Sequence, residues 1–258
     1  MQEKNVEAIV LAGGKMDDSD MPKFAISLNG RSILGGIIEA LRGSKYVKRI
    51  ILVGDVDRSN PMFRGVDAFA LPGDSMMTSL LSGMQELKNK KQRILGVCSD
   101  VPFLTSDGVD HCIERCAERP RAQVCHCVVE QMRYTQMFPD IRRTWATLRD
   151  AKFRKRRYCS TGLDMLSPSI VDKIVCRTTR LYHKRKNVLA LAWELGLFEI
   201  FLYLLGLCSL GRVERTVSRL LDVYCVAIEV EDPRLAVNTD KQLDLQLVAK
   251  YDRLLRLN

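Results

Sequence analysis

The chain has 258 residues, 47% hydrophobic and 28% charged, which is ordinary for a soluble globular protein and leaves material for a sizeable core. Its formal net charge of +9 narrows the partners to a polyanionic small substrate, nucleic acid or an anionic membrane surface. No aromatic-rich motif supports RNA binding, so nucleic acid is set aside.

The nine cysteines could suggest disulfides. Against that, Met1 to Val6 is polar and the apolar run that follows is too short for a signal peptide. A cytoplasmic location with reduced thiols is expected. Cys112-x3-Cys116 and Cys125-His126-Cys127 lack a repeated Cys-x2-Cys spacing, so they are read as core thiols rather than a zinc site.

In chain order, Ala8-Ile9-Val10-Leu11 reads as one buried strand that stops at Gly13-Gly14-Lys15. An acidic loop, Asp17-Asp18-Ser19-Asp20, leads to Pro22-Lys23. Asn29-Gly30 marks a turn, and Ser32 caps a helix to about Leu41. Glycines let a ligand approach the backbone, free N–H groups in such a loop make an anion cradle, and two lysines add point charges suited to phosphate. The loop is neither Gly-x4-Gly-Lys-Ser/Thr nor Gly-x-Gly-x-x-Gly, so neither a P-loop nor a dinucleotide fold fits.

Arg49 to Gly54 and Asp67 to Leu71 read as the next strands. Pro72-Gly73-Asp74-Ser75 turns into a helix capped by Asp74 or Ser75. Arg93 to Val97 is a further strand, ending in Ser99-Asp100, with Pro102 forcing an exit turn and Thr105 capping a helix to about Glu118. An aspartate at a strand's carboxyl end is placed to hold a divalent cation. Strands alternating with helices imply a mostly parallel sheet covered on both faces, with ligands at the carboxyl ends of its strands.

Ala122 to Val129 is another strand, and Met132 to Arg149 reads as irregular. Two basic clusters follow, Lys152 to Arg157 and Arg180 to Lys186, both read first as solvated surface. Ser167-Pro168 opens a helix. Asn187 to Gly211 is strongly apolar, but Glu194, Glu199, Gly196 and Gly206 argue against a membrane span. A helical pair packed on the core or on a second copy of the chain is expected, with membrane-surface contact as the alternative. Tyr224 to Glu229 returns to strand, and a closing helix runs from about Asp244 to Leu255.

Leu11-Ala12-Gly13-Gly14, Pro22-Lys23 and Asn29-Gly30-Arg31-Ser32-Ile33-Leu34 together resemble the opening of the MobA-like nucleotidyltransferases, those related to molybdenum cofactor guanylyltransferase and to sugar-1-phosphate nucleotidylyltransferases. The resemblance implies a three-layer, Rossmann-like α/β fold over residues 1–258, with a helical insert at 180–222. It implies that Leu11, Ala12, Gly13, Gly14, Lys15 and Lys23 line the NTP, and that Gly73 and Ser79 face the base. Asp100 and Asp240, or Asn238 should the register slip by two, would be the metal ligands, with Mg2+ as the ion. Lys15, Lys23 and Asp100 are the candidate catalytic residues. Ser160-Thr161-Gly162 resembles the family's acceptor-facing turn. The loop departs from the family at Asp17, Asp18 and Asp20, where many members carry an arginine. Acidic groups there must point to solvent or share a metal.

The activity so implied is transfer of NMP from an NTP, CTP or GTP ahead of ATP or UTP, to a phosphorylated small molecule, with release of pyrophosphate. A non-catalytic nucleotide-binding relative and a nucleotide-sugar-dependent glycosyltransferase are the alternatives. The glycosyltransferase usually needs a paired Asp-x-Asp, which Asp100-Val101-Pro102 lacks.

Overall fold

The computed structural model describes residues 4–16, 18, 20–150, 152–184, 197–240 and 242–257. Strands β1 (Val6–Leu11), β4 (Val47–Val53), β5 (Ala68–Ala70) and β6 (Ile94–Cys98) run parallel. β7 (Val124–Glu130) and β10 (Cys225–Glu229) also pair in parallel, and β9 (Lys155–Leu166) is wedged antiparallel between β6 and β7. The sheet order is β10-β7-β9-β6-β1-β4-β5, with β8 (Ala146–Arg149) paired to β9. A two-residue hairpin joins β2 (Ser27–Leu28) to β3 (Arg31–Ser32) through Asn29 (φ 48°) and Gly30 (φ 81°). Both central φ values are positive, the geometry that Asn-Gly tolerates best.

Past the Glu7–Arg49 pair at their amino ends, the central strands are apolar because both faces are covered. Alternation divides them: Ala8, Val10, Ile50, Leu52, Leu95 and Val97 enter one core. That core is closed by α1 (Ile33–Gly43), α3 (Ser106–Ala117), α4 (Gln131–Met137) and α8 (Gln242–Leu257). Ile9, Ile51, Val53 and Ile94 enter the other, under α2 (Met76–Gln85) and α5 (Val171–Lys184). Ser32, Ser75 and Thr105 cap α1, α2 and α3 as the sequence predicts; each side chain accepts a first-turn N–H. Gly83 lets α2 lie close on the sheet, since a Cβ there would meet Ile9 and Val53 methyls at 2.7 Å.

Three expectations are corrected. Met132 to Arg149 is not irregular: it holds α4 and β8. Tyr134 and Phe138 anchor α4 in the main core with no exposed surface. Ser160-Thr161-Gly162 is no turn but the middle of β9: Ser160 pairs with Val128 of β7, the register shifts over the next two residues, and Leu163 pairs with Val97 of β6, so pairing on either side of the three residues keeps them in the strand. The apolar stretch is only partly buried over its described part: Leu202, Cys208 and Leu210 pack against Val128, Leu148 and Tyr158. On α6 (Leu197–Leu204), Phe201 and Leu204 are 56% and 77% exposed, and α6 ends at Gly206 (φ 67°) in a Schellman turn with Leu207 N–H on Leu202 O at 2.8 Å. The chain then enters α7 (Leu210–Leu221). The rest of that expectation, residues 187–196, lies outside the described residues. Among the described residues no helix is long and apolar enough to cross a membrane.

Candidate active site

β1, β6 and β10 run in the same direction, so their carboxyl ends open on one edge of the sheet. From β1 the chain enters the glycine loop. Lys23 N–H donates to Gly14 O at 2.9 Å and Met16 N–H to Met21 O at 3.0 Å, closing the loop as an irregular hairpin. The N–H groups of Gly13, Gly14 and Lys15 make no backbone hydrogen bond among the described residues. Gly14 faces the Lys23 stem: a Cβ there would stand 3.6 Å from Lys23 Cδ.

Two carboxylates far apart in sequence converge on that lysine. Lys23 Nζ donates to Asp100 Oδ2 at 2.6 Å and to Asp240 Oδ1. Lys23 and Asp100 are nearly buried and Asp240 is about one-third exposed, so the cluster opens to solvent on the Asp240 side. Burial works against the ammonium, but the charge and hydrogen bonds of Asp100, then those of Asp240, outweigh it and raise the Lys23 pKa well above its usual value. Lys23 is therefore a permanent cation at this edge.

Around it a polar chain continues. Asn238 Nδ2 donates to Asp240 Oδ2 at 2.5 Å, and its Oδ1 accepts from Arg143 Nη1. Arg143 Nη2 also donates to Ser160 O at 3.1 Å. Asn238 thus orients Asp240 rather than turning its own oxygen to the cluster. On β9 and β7, His126 bridges Asp164 (Nδ1, 2.7 Å) and Ser160 (Nε2, 2.9 Å). Cys98 is also nearby, and burial, followed by the Asp100 and Asp164 charges, pushes its thiol up to about 12, so it stays protonated. Arg143, His126 and Asp164 were not singled out from the sequence. Arg143 stands next to Arg142 in the chain with nothing local to distinguish it, and His126 looks like one residue of a strand.

The other sequence candidates take distinct places. Leu11 and Ala12 end β1, with Ala12 N–H on Val53 O at 2.7 Å. Lys15 is exposed and paired with Asp20 at 3.0 Å, away from the Asp100–Asp240 pair. Asp18 accepts from Gln242 N–H at 2.9 Å, capping α8. Two of the loop's acidic side chains therefore have partners of their own; Asp17 lies outside the described residues. Ser79 is buried behind the turn at Gly73, where its Oγ accepts from Gly73 N–H at 3.0 Å. Gly73 needs to be glycine: a Cβ would fall 2.4 Å from Thr78 Oγ1 and 2.9 Å from a backbone carbon. In the basic run after β8, Arg154 pairs with Asp150 and Arg156 with Glu130 and Asp150. Side chains of the second basic cluster, 180–186, lie outside the described residues.

Two carboxylates around one cation, beside a glycine loop at strand carboxyl ends, are the oxygen-donor set that a hard divalent ion shares with phosphate. The MobA-like NTP transferase domain matches residues 8–175, more than half of the chain. The chain belongs to that family. Among curated proteins, the MobA-like chain is 26% identical over 122 residues to a chloroplastic 2-C-methyl-D-erythritol 4-phosphate cytidylyltransferase from Oryza sativa. That match covers 44% of this chain and 41% of the rice protein, so the chain spans about two fifths of that relative's length. Among solved structures it is similar to a hypothetical transferase from Thermus thermophilus, with TM-score 0.79, 25% identity and 93% and 99% of the two chains covered. It shares its fold with a 4-diphosphocytidyl-2C-methyl-D-erythritol synthase from Anaerococcus prevotii (TM-score 0.58, 15% identity, 98% and 100% covered). The same fold appears in a CMP:2-keto-3-deoxy-manno-octonic acid synthetase complexed with CTP (TM-score 0.63, 10% identity, 97% and 99% covered). The Rossmann-like nucleotidyltransferase fold expected from the sequence is thereby borne out.

Proposed function

We propose that this MobA-like chain transfers NMP from an NTP to a phosphorylated small-molecule acceptor and releases pyrophosphate. The observation that carries the reading is the convergence of Asp100 and Asp240 on Lys23 Nζ beside Gly14. CTP is the first choice of nucleotide and GTP the second, since the rice relative is a cytidylyltransferase and one structural neighbour is complexed with CTP.

Asp100 and Asp240 fit Mg2+, because both are hard oxygen donors and already hold a cation, the Lys23 ammonium, between them. When bound there, Mg2+ supplies positive charge to the phosphates. The chain's own part is positioning and charge. The N–H groups of Gly13, Gly14 and Lys15, without a backbone partner among the described residues, cradle the triphosphate, and the glycines let it come close. The turn at Gly73, locked by Ser79, faces the base. An acceptor phosphate oxygen attacks the α-phosphorus, forming a new P–O bond as the bond to pyrophosphate breaks. Lys23, always charged, offsets the charge that grows on the departing pyrophosphate. Arg143 and Ser160 border the acceptor side. No general base is required, because a phosphate acceptor is already ionised.

Pyrophosphate release decides the matter. Purified protein is incubated with Mg2+, each of CTP, GTP, ATP and UTP, and a panel of phosphorylated polyols and sugars. Lys23→Met and Asp100→Asn are expected to lower the rate about 10²–10³-fold while keeping the folded circular dichroism spectrum. Wild-type rates in either folded variant would end the proposal. Nucleotide binding with no pyrophosphate from any acceptor would favour the non-catalytic alternative.

A further inference from the structure

On the sheet face opposite His126, four cysteines meet in the main core. Cys112 and Cys116 are four residues apart on the buried side of α3, and Cys125 and Cys127 are two apart on one face of β7. All four have no exposed surface and are free thiols. The helix period and the strand period place both pairs face to face. Cys112, Cys116 and Cys127 Sγ all lie within 4.8 Å of one another. Cys116 and Cys127 Sγ are 3.7 Å apart and Cys112 and Cys127 Sγ 3.1 Å. Cys125 Sγ lies 4.0 Å from Cys116 O and accepts from Arg93 Nη1 at 3.6 Å. The same guanidinium nitrogen donates to Cys116 O at 3.2 Å.

We infer that Cys112, Cys116 and Cys127 form a closed structural site for one thiophilic metal ion, Zn2+ or Cu(I), with Cys125 beside it as the nearest further thiol. Thiolates about 2.3 Å from a shared tetrahedral ion stand about 3.8 Å apart, which is the Cys116–Cys127 separation observed. The Cys112–Cys127 pair is tighter than that and opens slightly on loading. Soft thiolate donors select Zn2+ and Cu(I) over Mg2+, so this site does not compete for the ion held by Asp100 and Asp240. Charge argues the same way. Three or four thiolates around such an ion leave a net negative charge in an apolar core, and Arg93 brings a positive charge to that spot. Neutral core thiols would give the guanidinium no anionic partner there. With no exposed sulfur, loading accompanies folding, and the ion ties α3, which follows the Asp100 loop, to β7.

The site is read without using activity. Protein purified under reductant and without chelator is expected to hold one Zn or Cu per chain by mass spectrometry of the metals. A Cu(I) chelator that strips the ion from the unfolded protein identifies copper, and a zinc indicator identifies zinc. Co2+ added during refolding of the reduced protein is expected to give a thiolate-to-cobalt charge-transfer band in the near ultraviolet. Cys127→Ser abolishes the band. Should that variant fail to fold, Arg93→Gln keeps all four sulfurs and weakens metal binding about tenfold or more. Folded wild-type protein without metal and without a cobalt band overturns the inference. So does a Cys112–Cys127 disulfide in reductant-purified protein, or unchanged metal affinity in Arg93→Gln. None of these outcomes depends on whether nucleotidyl transfer occurs.

Discussion

His126 shows how one side chain's chemistry depends on its neighbours. Burial alone would lower its pKa, but the hydrogen bond and charge of Asp164 outweigh that and raise it above the ordinary 6.5. Folding therefore favours the imidazolium. Its contribution is fully present below about pH 6.5, the unfolded value, and is lost as pH rises through the higher folded value. In Asp164→Asn the pKa of His126, followed by its ring proton resonances, is expected to fall. The stability gap between wild type and variant should narrow as pH rises from about 6 to about 9. A gap that widens over that range would show that the pair does not favour the charged ring. Lys23 behaves differently: its pKa lies so far above neutrality that no pH profile near neutrality is expected to report it.

At the scale of elements, α8 carries a job that its own sequence does not announce. It begins two residues after Asp240, and its first N–H groups are capped by Asp18, which arrives from the glycine loop across 224 positions of sequence. The cap pins the acidic loop to the helix start through Asp18. Asp18→Ala is expected to cost about 1 kcal/mol in urea unfolding. It should also raise the KM for NTP more than it lowers kcat, because the loop loses its tether while Lys23 and Asp100 remain. A variant with unchanged stability and KM would show that the cap is incidental. Elements signalled locally matched the sequence reading: the caps at Ser32, Ser75 and Thr105 and the Asn29-Gly30 turn each need only neighbouring residues. Ser160-Thr161-Gly162 did not match, because strand pairing on both sides of β9 outweighs the turn preference of three residues.

For the whole molecule, the site is a meeting of loops that leave three parallel strands, and ligand binding should stabilise the entire domain. At a hundredfold excess over its Kd a nucleotide adds about 2.7 kcal/mol, or roughly 5–10 °C in Tm for a chain of this size. CTP with Mg2+ is expected to give the largest rise among the four nucleotides, and Lys23→Met to remove most of it. No rise with any nucleotide would remove the triphosphate cradle from consideration. The buried pair Glu7–Arg49 ties β1 to β4 at their amino ends: Glu7 also accepts from the N–H groups of Lys88 and Asn89, at 3.1 and 2.8 Å. This fixes the start of β1 and thus the register that delivers Gly13.

The sequence by itself determined the α/β layering, the caps and the glycine loop. Those depend on periodicity and short-range chemistry, which a chain carries wherever it folds. Only the tertiary structure decided that Asp240, rather than Asn238, turns to Lys23, that Arg143 and His126 join the same polar chain, and that Asp18 and Asp20 take Gln242 N–H and Lys15 as partners. It alone brought four scattered cysteines together. Each of those facts is a contact between residues tens to hundreds of positions apart, and such contacts exist only once strand order and crossing helices have set which chain ends meet.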